Sequence, residues 1–183
     1  SPLTQLLPRK FKVAFSSNDR DAAITGIHDL GFIPRIRDGV KGFEMRTGGG
    51  LSIGGGTGIT TANLVQNNFI GTQPNGVTAL ANGGGVYFVA ALGNRVGGTT
   101  SSLRNVIAAN GMNVRLFNGA SGNVIEGNHI GIGADGAAQL GGGGIVLDTT
   151  AHDNTIGGTA PGAANVIAHN TSNGVTLTAA AGA

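Results

Sequence analysis

Asp148 and Asp153 stand five positions apart, and Arg115 lies 33 positions before the first of them. Two carboxylates and a guanidinium are the equipment for binding a carbohydrate or cleaving one by acid–base chemistry, so these three residues form a candidate loop-face site. The neighbouring acids, Glu126 and Asp135, are isolated in sequence, and the clustered carboxylates of a calcium-dependent or two-acid enzyme are missing. The histidines, His28, His129, His152 and His169, contain no pair four apart of the kind that holds a metal from one helix face, and no metal site is expected. In "FEMRTGGGLSIGGGTG", residues 43–58, two triple-glycine runs could cradle a phosphate. Such a loop sits between a strand and a helix and usually carries a lysine. Repetitive strand-like sequence follows here instead, and the stretch reads as a junction between two kinds of protein.

Composition supports that division. Thirty-five glycines, one tyrosine, no tryptophan and 11% charged residues beside 40% apolar ones point to a repetitive fold with small residues at its corners. Residues 1–50 hold eight Lys and Arg against five Asp and Glu, whereas the remaining 133 hold three against four. The N-terminal basic residues lack interleaved aromatics, so no nucleic-acid partner is expected. No apolar run reaches membrane-spanning length. The absence of cysteine excludes disulfides and cysteine-ligated clusters without assigning a compartment. A chain that opens on Ser1 reads as a fragment or a processed product.

The first fifty residues need elements of their own. In "LPRKFKVAFSS", Phe11, Val13 and Phe15 alternate with basic and small residues, the pattern of a strand with one buried face. Ser17 or Asn18 can cap a helix whose positive end carries Asp19 and Asp21; Ala23, Ile24, Ile27 and Leu30 then fall at helical spacing before Gly31. "FIPRIRDGVKGFEMRT" continues as strand, turn and strand, with Asp38-Gly39 as the turn. The expected order is β-α-β-β.

The strings "LPRKFKVAFS" and "AAITGIHDLGFIPRIRDGVKGFEMRTGGGLS" resemble the start of the iron-sulfur and sirohaem domain of the sirohaem nitrite and sulfite reductases, over residues 7–52. In that family the two lysines of the KFK string face the anionic substrate and the sirohaem carboxylates, which by resemblance gives those places to Lys10 and Lys12. The family's four-iron cluster and sirohaem iron are held by four cysteines downstream of this segment. This chain has none, so no cofactor is expected although sirohaem and a 4Fe-4S cluster are what the resemblance implies.

From residue 53 the text repeats. "NVIAAN" at Asn105 returns as "NVIAHN" at Asn165, "GNRVGGTT" at Gly93 returns as "DNTIGGTA" at Asp153, and the offset of 60 also relates Asn63 to Asn123, Leu80 to Leu140 and Val86 to Val146. Each 60-residue unit holds two coils of three short strands: 86–89, 94–97 and 105–110; then 114–117, 123–127 and 128–132. A third coil takes 145–148, 154–158 and 165–170, and 175–178 begins a fourth. Strands this short persist only if they are stacked on the coils above and below. The expected fold is therefore mainly β, a right-handed parallel β-helix of about four three-stranded coils over residues 53–183, preceded by the β-α-β-β segment of residues 1–52. Val86, Val114, Val146 and Val175 should lie in one column. Asn94, Asn123, Asn154, Asn105 and Asn165 head the stretches, and their amides should form a corner ladder that satisfies neighbouring backbone groups.

Residues 63–68 align both with a third stretch and with a second one, which suggests that the junction coil lacks a first strand of about eighteen residues. Residues 53–183 resemble the bacterial right-handed β-helix repeat proteins that read "NVI..N" and "N.IGGT" over and over. That resemblance implies architecture more than activity, because one shaft serves lyases, tailspikes and adhesins. The function expected is a non-catalytic β-helix scaffold within a larger surface or secreted protein, fused to a cofactor-less reductase-like fragment. The alternatives are a fragment of a sirohaem reductase and a carbohydrate-binding or polysaccharide-cleaving β-helix. Partners would be carbohydrates or other surface ligands, with end-to-end self-association through open strand edges.

Overall fold

The computed structural model describes residues 13–15, 30–37, 40–47, 51–54, 62–148 and 150–178. The chain divides into two compact units, Ser1–Gly48 and Gly49–Ala183. In the first, β1 (Val13–Phe15) pairs in parallel with β2 (Leu30–Arg37), and β2 pairs antiparallel with β3 (Val40–Thr47). Arg37 pairs with Val40, so two residues join the hairpin, the number a tight turn takes. A parallel pair needs a crossover of a dozen or more residues, which 16–29 supply. The helix expected there, and the Asp38-Gly39 turn, lie outside the described residues. Pro34 falls beyond Leu30, Gly31 and Phe32, the residues of β2 that β1 pairs, the kind of position where a missing N–H is tolerated.

The second unit is a parallel β-helix of about four turns. Its first sheet stacks β4 (Leu51–Gly54), β7 (Val86–Val89), β10 (Val114–Phe117), β13 (Ile145–Leu147) and β16 (Val175–Leu177). The second stacks β5 (Leu64–Val65), β8 (Arg95–Gly97), β11 (Val124–Glu126) and β14 (Thr155–Ile156). The third stacks β6 (Phe69–Ile70), β9 (Val106–Ile107), β12 (His129–Ile130) and β15 (Val166–Ile167). Every pairing within these sheets is parallel. Alternation then sorts the side chains: Val86 and Phe88 are buried while Tyr87 and Val89 are half-buried, and Val114 and Leu116 repeat the pattern against Arg115 and Phe117. The interior is filled by columns one residue wide, such as Val65, Val96, Ile125 and Ile156, and Ile70, Ile107, Ile130 and Ile167.

Two expectations change. The column that begins with Val86 and Val114 continues through Ile145 to Val175, whereas Val146 pairs with Arg115 and is half-buried. The turn before "GGGGIVLD" shifts the register by one residue relative to the 60-residue offset, and one residue in a strand reverses the face. The junction turn also has its first strand. Leu51–Gly54, across the expected seam, is its first strand and pairs with β7, while Asn63 takes the second-strand corner beside Asn94. The backbone requirement of a stacked rung is met on both sides of Ser52.

The turns also carry their loops alternately. The first and third turns have a loop after the third strand, closed by the antiparallel bridges Thr72 with Ala79 and Ile132 with Gln139. These loops meet across the intervening turn, where the Ala134 N–H donates to the Gly76 carbonyl at 2.9 Å. The second and fourth turns carry theirs after the second strand, and a Cβ at Gly162 of the fourth would overlap the Thr99 carbonyl of the second. The structural repeat is therefore a pair of turns, which is why the sequence offset is near 60 rather than 30. Among the described residues, no helix is long and apolar enough to cross a membrane.

Candidate functional site

The corners between strands are built from asparagine columns. Asn63, Asn94, Asn123 and Asn154 form the first: the Nδ2 of each donates to the Oδ1 of the next at 2.7, 2.9 and 2.9 Å. The same Oδ1 atoms accept from the main-chain N–H of the preceding asparagine at 3.0, 2.9 and 3.0 Å. Asn105 and Asn165 stand in a second column, which also contains Asn68 and, between them, Asn128. A third column runs through Asn82, Asn110, Asn113 and Asn170. Six of these residues, Asn94, Asn105, Asn110, Asn113, Asn123 and Asn128, are buried. Each amide there replaces the water that the corner backbone loses. Asn68 and Asn128, like Asn110 and Asn170, share the 60-residue offset, but successive members of a column are spaced unevenly because the loops alternate; Asn110 and Asn113 are only three residues apart in sequence yet bonded as successive members.

Groups with more chemical freedom lie outside the shaft. On the first sheet Arg115 and Asp148 come together: Nε and Nη2 of the guanidinium donate to Asp148 Oδ2 at 3.0 and 2.5 Å. The guanidinium also lies 4.6 Å from the centre of the Phe117 ring, and Tyr87 meets that ring edge-on at 6.2 Å. Asp153 is not part of this group. Its carboxylate accepts from Nδ1 of the adjacent His152 at 2.9 Å, and both side chains are exposed.

The second sheet holds a pair that spacing did not indicate. Glu126, its side chain only 8% exposed, is bound by Nη1 of Arg95. Strand alternation could have found it, since Arg95 and Glu126 sit two residues apart in register on neighbouring rungs. On the third sheet His129 is buried, and its Nδ1 donates to the Gly133 carbonyl at 2.8 Å. The carbonyl can only accept, so the proton is on Nδ1. Nearby, Asp135 Oδ1 accepts from the main-chain N–H groups of Ala138 at 2.9 Å and Ala137 at 3.0 Å. Those N–H groups, Ala138 first, hold the Asp135 carboxyl below its ordinary value. Asn75 makes the equivalent turn in the loop of the first turn.

Lys10 and Lys12 lie outside the described residues. Among those described, no three His, Cys, Asp or Glu side chains converge where a metal ion could be held. A hollow on the first sheet is lined by Leu51, Ser52, Gly84, Gly85 and Tyr87.

No curated protein and no solved structure matches this chain. The profile of the nitrite and sulphite reductase 4Fe-4S domain matches residues 2–111, running from the first unit through β9 of the second. That match covers more than half of the 183 residues, and on it the chain belongs to the nitrite and sulphite reductase 4Fe-4S domain family.

Proposed function

We propose that this chain is a non-catalytic β-helix scaffold, a module of a larger surface or secreted protein, that keeps the family's N-terminal segment without its redox centre. One observation carries the reading: 183 residues contain no cysteine, and a four-iron cluster is held by thiolates. The described residues offer no substitute. His129 is committed to the Gly133 carbonyl and Glu126 to Arg95, and the interior of the turns is aliphatic. The cluster and sirohaem that the family implies do not fit these residues, so no reaction step is derived through them. The scaffold role is supported by the aliphatic columns that fill the interior of the described turns.

The experiment is anaerobic reconstitution of the purified chain with ferrous iron, sulfide and sirohaem, followed by desalting. A colourless protein is expected. A visible absorption band that co-elutes with the chain at stoichiometric iron would overturn the proposal in favour of a second reading, an oxidoreductase fragment, which the family match favours. Association between copies belongs to the scaffold reading as well, supported by the edge strand β16, where Val175 and Leu177 are exposed. Sedimentation velocity over a concentration series tests it; a constant monomer sedimentation coefficient would reject it.

A further inference from the structure

Among the described residues, five asparagines are followed by glycine: Asn75, Asn82, Asn110, Asn118 and Asn173. Such a pair carries its own chemistry, because the glycine nitrogen, next to a Cα without a side chain, can close a ring on the asparagine Cγ. Closure needs two freedoms: the side-chain amide must swing over the following nitrogen, and that N–H must not be held by an acceptor. The five sites differ in both. Asn110 is buried; its Oδ1 accepts from the N–H and Nδ2 of Asn82 at 3.3 and 3.0 Å, and its Nδ2 donates to Asn113 Oδ1 at 3.1 Å. The Gly111 N–H donates to the Asn82 carbonyl at 2.9 Å. Asn82 is held in the same column through its Nδ2. At Asn75 the Oδ1 accepts from the N–H groups of Val77 and Thr78 at 3.0 and 3.1 Å, and the Gly76 N–H donates to the Gln73 carbonyl at 2.8 Å. Asn118 is exposed, but the Gly119 N–H donates to Thr150 Oγ1 at 2.9 Å. At Asn173 both parts are loose among the described residues: the exposed side chain makes no hydrogen bond, and the Gly174 N–H has no acceptor.

We propose that Asn173 and Gly174 form a site of spontaneous covalent modification at which the last strand of the shaft releases itself. The Gly174 nitrogen bonds to Asn173 Cγ, the side-chain nitrogen leaves as ammonia with the displaced proton, and water reopens the resulting succinimide. Opening at the main-chain carbonyl gives isoaspartate: the chain then runs through Cβ and Cγ, one carbon longer, beside a new free carboxylate. Water is the one co-reactant. The position gives the change its consequence. The Gly174 carbonyl accepts from the Ile145 N–H at 2.9 Å, and Val175, the next residue, begins β16 in register with Ile145 of β13. A Cβ at Gly144 would already overlap the Asn173 and Gly174 carbonyls, so the corner has no slack for an extra backbone carbon. β16 is the last strand of its sheet and has a neighbour on one side only. Once its entry is displaced, no second strand holds it in place. The site goes beyond the scaffold reading and does not depend on it, since it concerns main-chain chemistry and not a redox centre.

The test is incubation of the full chain in mildly alkaline buffer, native and in urea, followed by peptide mapping with mass spectrometry and enzymatic methylation of isoaspartate. In the folded chain Asn173 should convert at least about tenfold faster than Asn75, Asn82 and Asn110, whose hydrogen bonds must break first; in urea all five should convert at similar rates. Asn118 should lag behind Asn173 until Thr150→Ala frees the Gly119 N–H, which should speed it about threefold or more. Chains carrying isoaspartate at position 173 should exchange the amides of β16 at least about tenfold faster than unmodified chains, with β12 unchanged, and Asn173→Gln should abolish both the modification and the acceleration. If Thr150→Ala fails to fold, the comparison of native with urea-unfolded parent chain decides. Similar rates at all five asparagines in the folded chain, conversion of Asn110 ahead of Asn173, or unaltered exchange of β16 in the modified chain would each overturn the proposal.

Discussion

At the scale of single residues, the asparagine columns tie the corners of successive turns together. Asn128 is fully buried; its Oδ1 accepts from the main-chain N–H and Nδ2 of Asn105 at 3.2 and 2.9 Å, while its Nδ2 donates to Asn165 Oδ1 at 3.1 Å. Truncation to alanine strands two buried donors, and at about 1–3 kcal/mol for each unsatisfied group Asn128→Ala is expected to lose roughly 2–6 kcal/mol in urea unfolding. Asn173→Ala, at an exposed position, should change stability by less than about 0.5 kcal/mol. Asp135 gives a prediction in pH. Its carboxyl is held below the ordinary value by the N–H groups of Ala138 and Ala137, so it favours the folded turn above the unfolded-state value, and that contribution disappears as pH falls through the lower folded one. A carboxyl-carbon NMR titration should place the Asp135 midpoint below that of a denatured reference; a midpoint at or above the reference would contradict the hydrogen bonds described.

Strands are individually too short to be stable, so at the scale of elements the energetics belong to columns. Phe88, fully buried in β7, packs in the column of Ile53, Leu116 and Leu147. Phe88→Ala should cost about 3–5 kcal/mol because a rigid stack relaxes little around the void. Chemical denaturation measures it, and a loss below about 1 kcal/mol would mean that the rungs can close the gap. The strands themselves were legible, because Val86 to Val89 and Val114 to Phe117 alternate cleanly. The face of Val146 was not. "IVL" is apolar throughout, and which of its residues point inward is decided by the register with β10. The first strand of the junction turn was hidden for another reason: "LSIG" has no repeat signature, and its role depends on β7 lying beside it. Likewise, the pairing of Arg115 with Asp148 could be guessed from coil spacing, whereas that of Asp153 with His152 is a local contact that spacing does not encode.

For the whole second unit, burial is uneven along the axis. Strands β9 and β12 are buried at both residues, while β14, β15 and β16 contain only exposed and half-buried ones. A stack held by nearest neighbours opens from its weaker end. Amide hydrogen exchange should therefore be at least about tenfold slower in β9 and β12 than in β15 and β16, and uniform protection would show that the turns unfold as one block. The alternation of loops has a genetic counterpart. Loops of the first and third turns touch one another, as do those of the second and fourth, so a duplication or deletion of a single turn would set a loop over a bare corner. Exchange between copies of the coding repeat heals without a scar only when it adds or removes an even number of turns, and shafts of this type should differ in length by steps of two.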